Sequence, residues 1–588
     1  VNLETAQILL KGLLERLRAD ADAEKPQYGA VVAGTERQAL DFLLQYLSGK
    51  PTAEEHPASA ARETKPTVAQ AQTSFDETSV QGVDIETTAK PTEVPYSINL
   101  RALSENKPNS HIVCIDFGTA KSKAFARRIN GGGLGPEDLL EMGLGRLDGD
   151  MDNSPYTVAS SVWVSDEGRM FAGSYAIKLS SDYGLDGKPR KRLDSVKQQL
   201  SHASHEHQLL EPLSAAFNPT SEALTFEDAI CFFLAYLTDL IGSDLEVRHK
   251  LSRYTPRRFT VPAWSDEQRE WATSTLRKFL KRAQILADTF HDRWSEGIPV
   301  AEVRNANLEA KKLENQLDHL LDGQIKDSPL GISEPIAAGS ARLSTDRNMR
   351  NMVLVVDVGA GTTDFALFLV PQGPGGGKAF PLRMSEAVRS AGDRVDDILV
   401  QFILSKMDGH TDTETQARVA AQLRLRNLRT YKRRLFNEGI IEIDLVTDER
   451  VIVDREEFLD SKEVKAFGKT LEDRLASFLS AVHPSLGAAT QDALILFTGG
   501  GAKLPFVADL AKKTWKIGDT AFRFRPPTKL IPDIIADFDD AFLAEYGQLA
   551  VAIGGTLPLI DEKKTLQGEW FGGAQPPGKL ESFPTQGL

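Results

Sequence analysis

Two cysteines in 588 residues, Cys114 and Cys231, are too few for a disulfide framework. One falls in a predicted strand and the other in a predicted apolar helix, so both read as small core side chains. No stretch approaches the roughly 18 uninterrupted apolar residues of a membrane-spanning helix. The N-terminus also lacks the basic-then-apolar pattern of a secretory signal, which makes the cytoplasm the expected compartment. A basic excess is missing as well: 69 Lys and Arg are outnumbered by 83 Asp and Glu, for a formal net charge of −14. That balance argues against nucleic acid as the main partner, since phosphate binding needs concentrated positive charge. The local exception is Arg424, Arg426, Arg429, Lys432, Arg433 and Arg434, crowded on one predicted helix. Charge runs of this kind are most often solvated faces.

What is present points to several structural units. The length exceeds the usual 100 to 200 residues of one domain, and a hydrophobic fraction of 41% is ample for real cores. Residues 1–48 read as a helical hairpin, with Leu3, Ala6, Leu10, Leu13 and Leu17 at helical spacing and a Thr35–Gln38 capping signal before Leu40, Leu43, Leu44 and Leu47. Two short helices bury such stripes poorly alone, so they are expected to dock on the body or on a partner. Residues 49–108, rich in Thr, Ala, Glu and Pro, read as a mobile linker. The body spans 109–556 and a Gly- and Pro-rich tail covers 557–588.

Within the body two segments share one logic: H-I-V-C-I-D-F-G-T-A-K-S-K-A-F-A from His111, and V-L-V-V-D-V-G-A-G-T-T-D-F-A-L-F-L-V from Val353. Each reads as a β-hairpin whose first strand ends in an Asp, followed by a glycine turn and a hydroxyl residue. Such a turn lets backbone N–H groups approach a phosphate while the carboxylate faces a hydrated metal. Asp116-Phe117-Gly118-Thr119 alone is weak and equally reads as a strand entering a turn. The second copy places Asp357, Thr362, Thr363 and Asp364 within eight residues between apolar strands, a costly arrangement unless something binds there. Two related α/β halves are expected from the duplicated loops and from strands alternating with amphipathic helices.

These segments resemble the heat shock protein 70 family, within the wider actin-like ATPase group. The similarity continues in order through L-D-S-V-K-Q-Q-L with Lys197, F-T-V-P-A-W-S-D-E-Q-R-E-W-A from Phe259, G-I-S-E-P-I-A-A-G-S-A from Gly331, A-G-D-R-V-D-D from Ala391, and F-T-G-G-G-A-K-L-P from Phe497. It covers about Asn109 to Thr556. The resemblance implies an α/β, two-lobed actin-like ATPase fold built from duplicated ribonuclease-H-like halves, carrying the N-terminal helical hairpin.

The same resemblance implies the site. Asp116 and Asp357 would hold Mg²⁺ through its waters; Thr119 and Thr362 would contact phosphate oxygens with the amides around Gly118, Ala120, Gly359, Ala360 and Gly361, and Thr363 beside them. Lys197 would stabilise the γ-phosphate and orient the attacking water, with Glu334 and Asp364 completing the water network. Gly392 and Asp393 would belong to the nucleotide-binding set, Lys432 and Arg433 to the adenine-contacting helix, and Gly499, Gly500, Gly501 and Lys503 would accommodate ribose and adenine. This set suffices for slow hydrolysis of ATP to ADP and phosphate. Ala360 replaces a usual glycine and is tolerable only at negative φ. Arg429 falls where the family usually has an acid, which weakens the expected ribose contact.

Two further features depart from the family. An insertion at about 285–328 carries Val303, Ala306, Ala310, Leu313, Leu317 and Leu320 at heptad spacing. Core packing explains most such stripes, but an inserted one is expected to project and contact a partner or the hairpin. After Phe542–Gly555, which resembles the last helix of the ATPase domain, too few residues follow for the family's peptide-binding domain. A chaperone-like ATP switch acting through a protein partner or co-chaperone is therefore the leading expectation. A nucleotide-dependent scaffold or filament, a small-molecule kinase and a pseudo-ATPase are the alternatives, since fold resemblance does not choose among them. His202, His205 and His207 read as an exposed loop rather than a metal site, and the glycine triplets at 131–133 and 375–377 as hairpin turns.

Overall fold

His111–Asp116 (β1) is apolar from Ile112 to Ile115 and Lys121–Arg128 (β2) from Ala124 to Ala126, and the two pair antiparallel with Asp116 opposite Lys123. Leu139–Glu141 (β3) extends the sheet beyond β2. Arg257–Val261 (β4) and Ile332–Ser333 (β5) add in parallel on the other side, giving the order β5-β4-β1-β2-β3. The structure is a computed structural model that describes residues 96–557, apart from 106–109, 130–134, 150–153, 184–189, 317–330, 344–351, 370–379, 386–387, 389–390, 408–411, 427 and 487–489.

A second sheet repeats the pattern. Met352–Val358 (β6) and Thr363–Leu369 (β7) pair antiparallel with Asp357 opposite Asp364, and Phe380–Met384 (β8) follows antiparallel. Thr490–Thr498 (β9) lies parallel to β6; Thr514–Ile517 (β10) and Thr520–Arg525 (β11) complete the order β8-β7-β6-β9-β11-β10. In both sheets an antiparallel meander is followed by two parallel strands on the far side of its first strand. Full burial of β1 residues 112–116 and of all of β6 follows from helices covering both faces.

Phe226–Val247 (α1) begins at a reciprocal cap, Thr225 Oγ1 accepting from Asp228 N at 3.2 Å while Asp228 accepts from Thr225 N at 3.1 Å. This helix is apolar around most of its circumference and accordingly buried along most of its length. Asp266–Phe290 (α2) packs beside it. Val300–Leu313 (α3) carries the inserted stripe, and here the structure corrects the sequence reading. Val303, Ala306 and Ala310 are fully buried in the core shared with α1 and α2, so this face is core packing and does not project. Leu317 and Leu320 lie outside the described residues.

The expected linker is also shorter than its composition suggests. Tyr96 Oη donates to Glu302 Oε2 at 2.7 Å on α3, Asn99 Nδ2 donates to the Asp288 carbonyl at 3.2 Å on α2, and Ala102 is fully buried. Residues 96–105 thus belong to the body. The N-terminal hairpin, the rest of the linker, the tail and both glycine triplets fall outside the described residues.

Glu334–Leu343 (α4) and Asp540–Thr556 (α9) cross at backbone distance. Small residues allow it: a Cβ on Gly554 would overlap the Ala337 carbonyl oxygen, and one on Gly555 would overlap Cys114 Sγ on β1. Arg127 Nε on β2 donates to the Thr556 carbonyl at 2.6 Å, tying the end of α9 to the first sheet. Gly392–Ser405 (α5), Thr413–Leu425 (α6), Leu428–Glu438 (α7) and Lys462–Val482 (α8) share the apolar core of the second sheet, with α6 and α7 packed on α5. The crowded basic run is thus split between α6 and α7.

Because the Gly554 obstacle is backbone, α4 and α9 must part to admit a methyl group. Gly554→Ala should lower stability by about 2 kcal/mol, read as a fall in thermal midpoint; an unchanged midpoint would contradict this account of the crossing.

Candidate functional site

Each central strand ends in a buried Asp, and each Asp is braced from the neighbouring parallel strand. Thr260 Oγ1 on β4 donates to Asp116 Oδ1 at 3.2 Å, and Thr498 Oγ1 on β9 donates to Asp357 Oδ1 at 2.9 Å. Sequence reasoning passed over these threonines. The signal was there, since Phe259-Thr260 and Phe497-Thr498 repeat the same dipeptide at the same point of the two halves.

The halves differ opposite the aspartates. In the first, the cross-strand partner is Lys123, whose Nζ lies 2.6 Å from Asp116 Oδ2. In the second it is Asp364, a like charge, whose Oδ2 accepts from Thr362 Oγ1 at 3.1 Å while its buried Oδ1 has no hydrogen-bond partner. Lys123 is a third residue that the sequence reading missed, visible only once the β1–β2 register places it across from Asp116.

Glu334, at the start of α4, forms an ion pair with Lys197, which is 2% exposed. Oxygens of Glu334, Asp357 and Asp364 all lie within 4.8 Å of one another. Burial pushes the Glu334 carboxyl up to about 7, with the Lys197 ammonium working against that and Asp116 and Asp357 adding to it. Asp357 is raised by burial, against the Thr498 bond and the Lys123 charge. Burial raises Asp364 well above the carboxylate range, and Glu334 and Asp357 push it further. Burial works against the charge of Lys123, but Asp116, Asp357 and Glu334 outweigh it and hold its pKa above the ordinary value. Asp116 is paired with Lys123 and Thr260, and the three converging oxygens belong to Glu334, Asp357 and Asp364. Carboxylates gathered this way suit a hard divalent cation, which prefers oxygen ligands.

The two glycine turns face each other. A Cβ on Gly361 would sit 3.0 Å from both Thr119 Cγ2 and Thr119 Oγ1. Between them opens a cavity of about 190 Å³ whose walls include Thr119, Gln198, Pro262, Ala360, Gly361 and Thr362. That is several times the roughly 30 Å³ of a water molecule and admits a phosphoryl group. Gly118 has no room for a Cβ, which would run into the Lys121 carbonyl. Ala360 is absent from the described non-glycine residues with positive φ, so its Cβ is accommodated without strain.

The remaining expected contacts are distributed less simply. Gly392 and Asp393 open α5 directly on the second turn, their N–H groups donating to Gly359 O at 3.1 Å and Ala360 O at 2.7 Å. Lys432 Nζ is held by Gly392 O at 3.0 Å and Asp396 Oδ1 at 2.8 Å. Gly499, at φ +84°, and Gly501 wrap the end of β6, with Gly501 N donating to Val358 O at 2.8 Å; a Cβ on Gly500 would point into open space. Lys503 Nζ donates to the Ala544 carbonyl at 3.1 Å on α9, and Arg433 and Lys503 both act on the carboxyl of Glu545 on that helix. These glycines and cations lie apart from the cavity walls, and Thr363 is a fully buried strand residue whose N–H donates to Val388 O at 2.8 Å. Ala120 O accepts from Ser160 N at 2.9 Å. The rings of His205 and His207 stack at 5.4 Å, and no cluster of possible metal ligands among the described residues includes them.

No protein-family model matches the chain, and no curated protein matches it.

The raised Asp364 pKa sets a pH test. The folded chain holds this proton where the unfolded chain has released it, so the group favours folding at low pH. That advantage is lost as pH climbs from the ordinary carboxylate range towards the folded pKa. Asp364→Asn, neutral throughout, should gain stability over the wild type by about 1.4 kcal/mol for each pH unit crossed in that window. Urea unfolding in EDTA from pH 5 to 8 measures the difference; a pH-independent difference would contradict it.

Proposed function

We propose that this chain is an ATP-binding, slowly hydrolysing molecular switch of the heat shock protein 70 type, with the two-lobed actin-like fold, passing its nucleotide state to a protein partner. One observation carries the reading: two Asp-tipped hairpins of matching topology face each other with Thr119 and Gly361 at contact distance. The matched threonine braces and the shared strand order support a duplicated ancestry for the halves.

In this reading ATP lies with its polyphosphate between the two turns and its adenosine towards Gly499–Gly501, Arg433 and Lys503. Amides of the turns and the hydroxyls of Thr119 and Thr362 bind phosphoryl oxygens. Mg²⁺, held through its waters by Asp116 and Asp357, would supply charge neutralisation when bound. Lys197 and Lys123 approach from the first half, each already paired with a carboxylate, so both are held in place before substrate arrives. Glu334, poised near neutrality, accepts the proton of the attacking water as its oxygen bonds to phosphorus and the bond to ADP breaks. The cavity beside Thr362 gives the water and the departing phosphate their space.

Single-turnover hydrolysis with Mg²⁺ tests the assignment. The wild type should convert one ATP per chain slowly, and Asp357→Asn and Lys197→Ala should each lose about 100-fold or more. If the wild type binds ATP and never cleaves it, the pseudo-ATPase scaffold replaces the hydrolytic switch.

A further inference from the structure

Apart from the carboxylate cluster, side-chain bonds tie the half built on β1 to the half built on β6. Arg192 comes from the first half and is 3% exposed at its side chain. Its Nη1 donates to Leu425 O at 3.0 Å and its Nη2 to Arg424 O at 3.0 Å. Those carbonyls end α6, where backbone acceptors lack partners within the helix. Asp194 fixes the guanidinium through Nε at 2.7 Å, and Ser181 Oγ adds a second donor to Leu425 O at 3.0 Å. Arg429, on α7, reaches the other way: its Nη2 donates to Ser195 Oγ at 2.6 Å and to Asp393 Oδ1 at 2.9 Å. Asp393 receives a further bond from Gln198 Nε2 of the first half at 2.7 Å.

Ser195 holds φ at +60°, a left-handed conformation that a non-glycine residue adopts at a cost. Two bonds across the cleft, to Arg429 and to Asp393, accompany it. Gln198 and Asp393 also line the cavity beside Thr119 and Gly361, so the bond between them forms part of its wall. Parting the halves at this edge breaks the bonds of Arg192 and Ser181 to the end of α6, of Arg429 and Asp393 to Ser195 and of Gln198 to Asp393, and opens the cavity.

We infer that Arg192 and Arg429, with Gln198 and Asp393, form a strap that holds the halves together beside the phosphate-facing turns and sets the rate at which nucleotide leaves. This rests on the ATP-binding reading. Arginine suits the task because its planar fork makes several directed bonds at once, which lysine cannot reproduce.

Two measurements on the full chain test it. Stopped-flow release of fluorescently labelled ADP with Mg²⁺ should be at least tenfold faster in Arg192→Ala and in Arg429→Ala, with Arg429→Lys intermediate. Spin labels at Lys178→Cys and Arg418→Cys, exposed on the helix Gly173–Tyr183 and on α6, should report longer and broader separations in the alanine variants. The native cysteines are fully buried and do not compete for label. Unchanged release rates with unchanged separations would overturn the strap. A chain that binds no ADP overturns the nucleotide reading, and unchanged separations in that chain would overturn the strap as well.

Discussion

The cluster at the ends of the central strands depends on the burial of Asp116, Asp357, Glu334 and Asp364 around two ammonium groups among the described residues, Lys123 and Lys197. An unpaired buried charge is among the most expensive things a protein can carry. Two of the carboxylates are satisfied by ion pairs, and Asp357 leans on Thr498. Asp364 is left with one oxygen unpartnered beside two other acids, and its pKa rises accordingly. Packing alone gives no reason to keep such a group. The proposed binding of a metal and a phosphate there would give one.

The scaffold makes this cluster possible by repetition. Both sheets place the Asp at the end of a central strand, brace it with a threonine one strand over, and follow it with a glycine turn. The asymmetry lies in one cross-strand position, a lysine in the first half and an aspartate in the second. That difference gives the first half its own counter-charge and sets two acids opposite each other in the second. The close crossing of α4 and α9 lies between the sheets, so Glu334 at the start of α4 is placed by the contact that joins the halves.

Much of this was legible in the residues. Duplicated Asp-and-glycine hairpins are a short-range pattern, and strand period and turn chemistry locate them without tertiary information. Lys123 was not legible, because its role depends on which residue the register sets opposite Asp116. The insertion helix was misread for a related reason: a heptad stripe has the same spacing whether it faces a partner or the core, and burial of Val303, Ala306 and Ala310 against α1 and α2 decides it. Composition also misplaced the end of the linker, since Tyr96 and Asn99 dock through a few long-range bonds that leave no periodic trace. Arg429 stood out as a departure, but its partners Ser195 and Asp393 lie 234 and 36 positions away in the chain.

Titration calorimetry of ATP into the full chain, with Mg²⁺ and again in EDTA, addresses the central claim directly. The account predicts one site per chain whose affinity falls sharply without the metal. Absence of binding in both conditions, at chain concentrations where folding is verified, would contradict it.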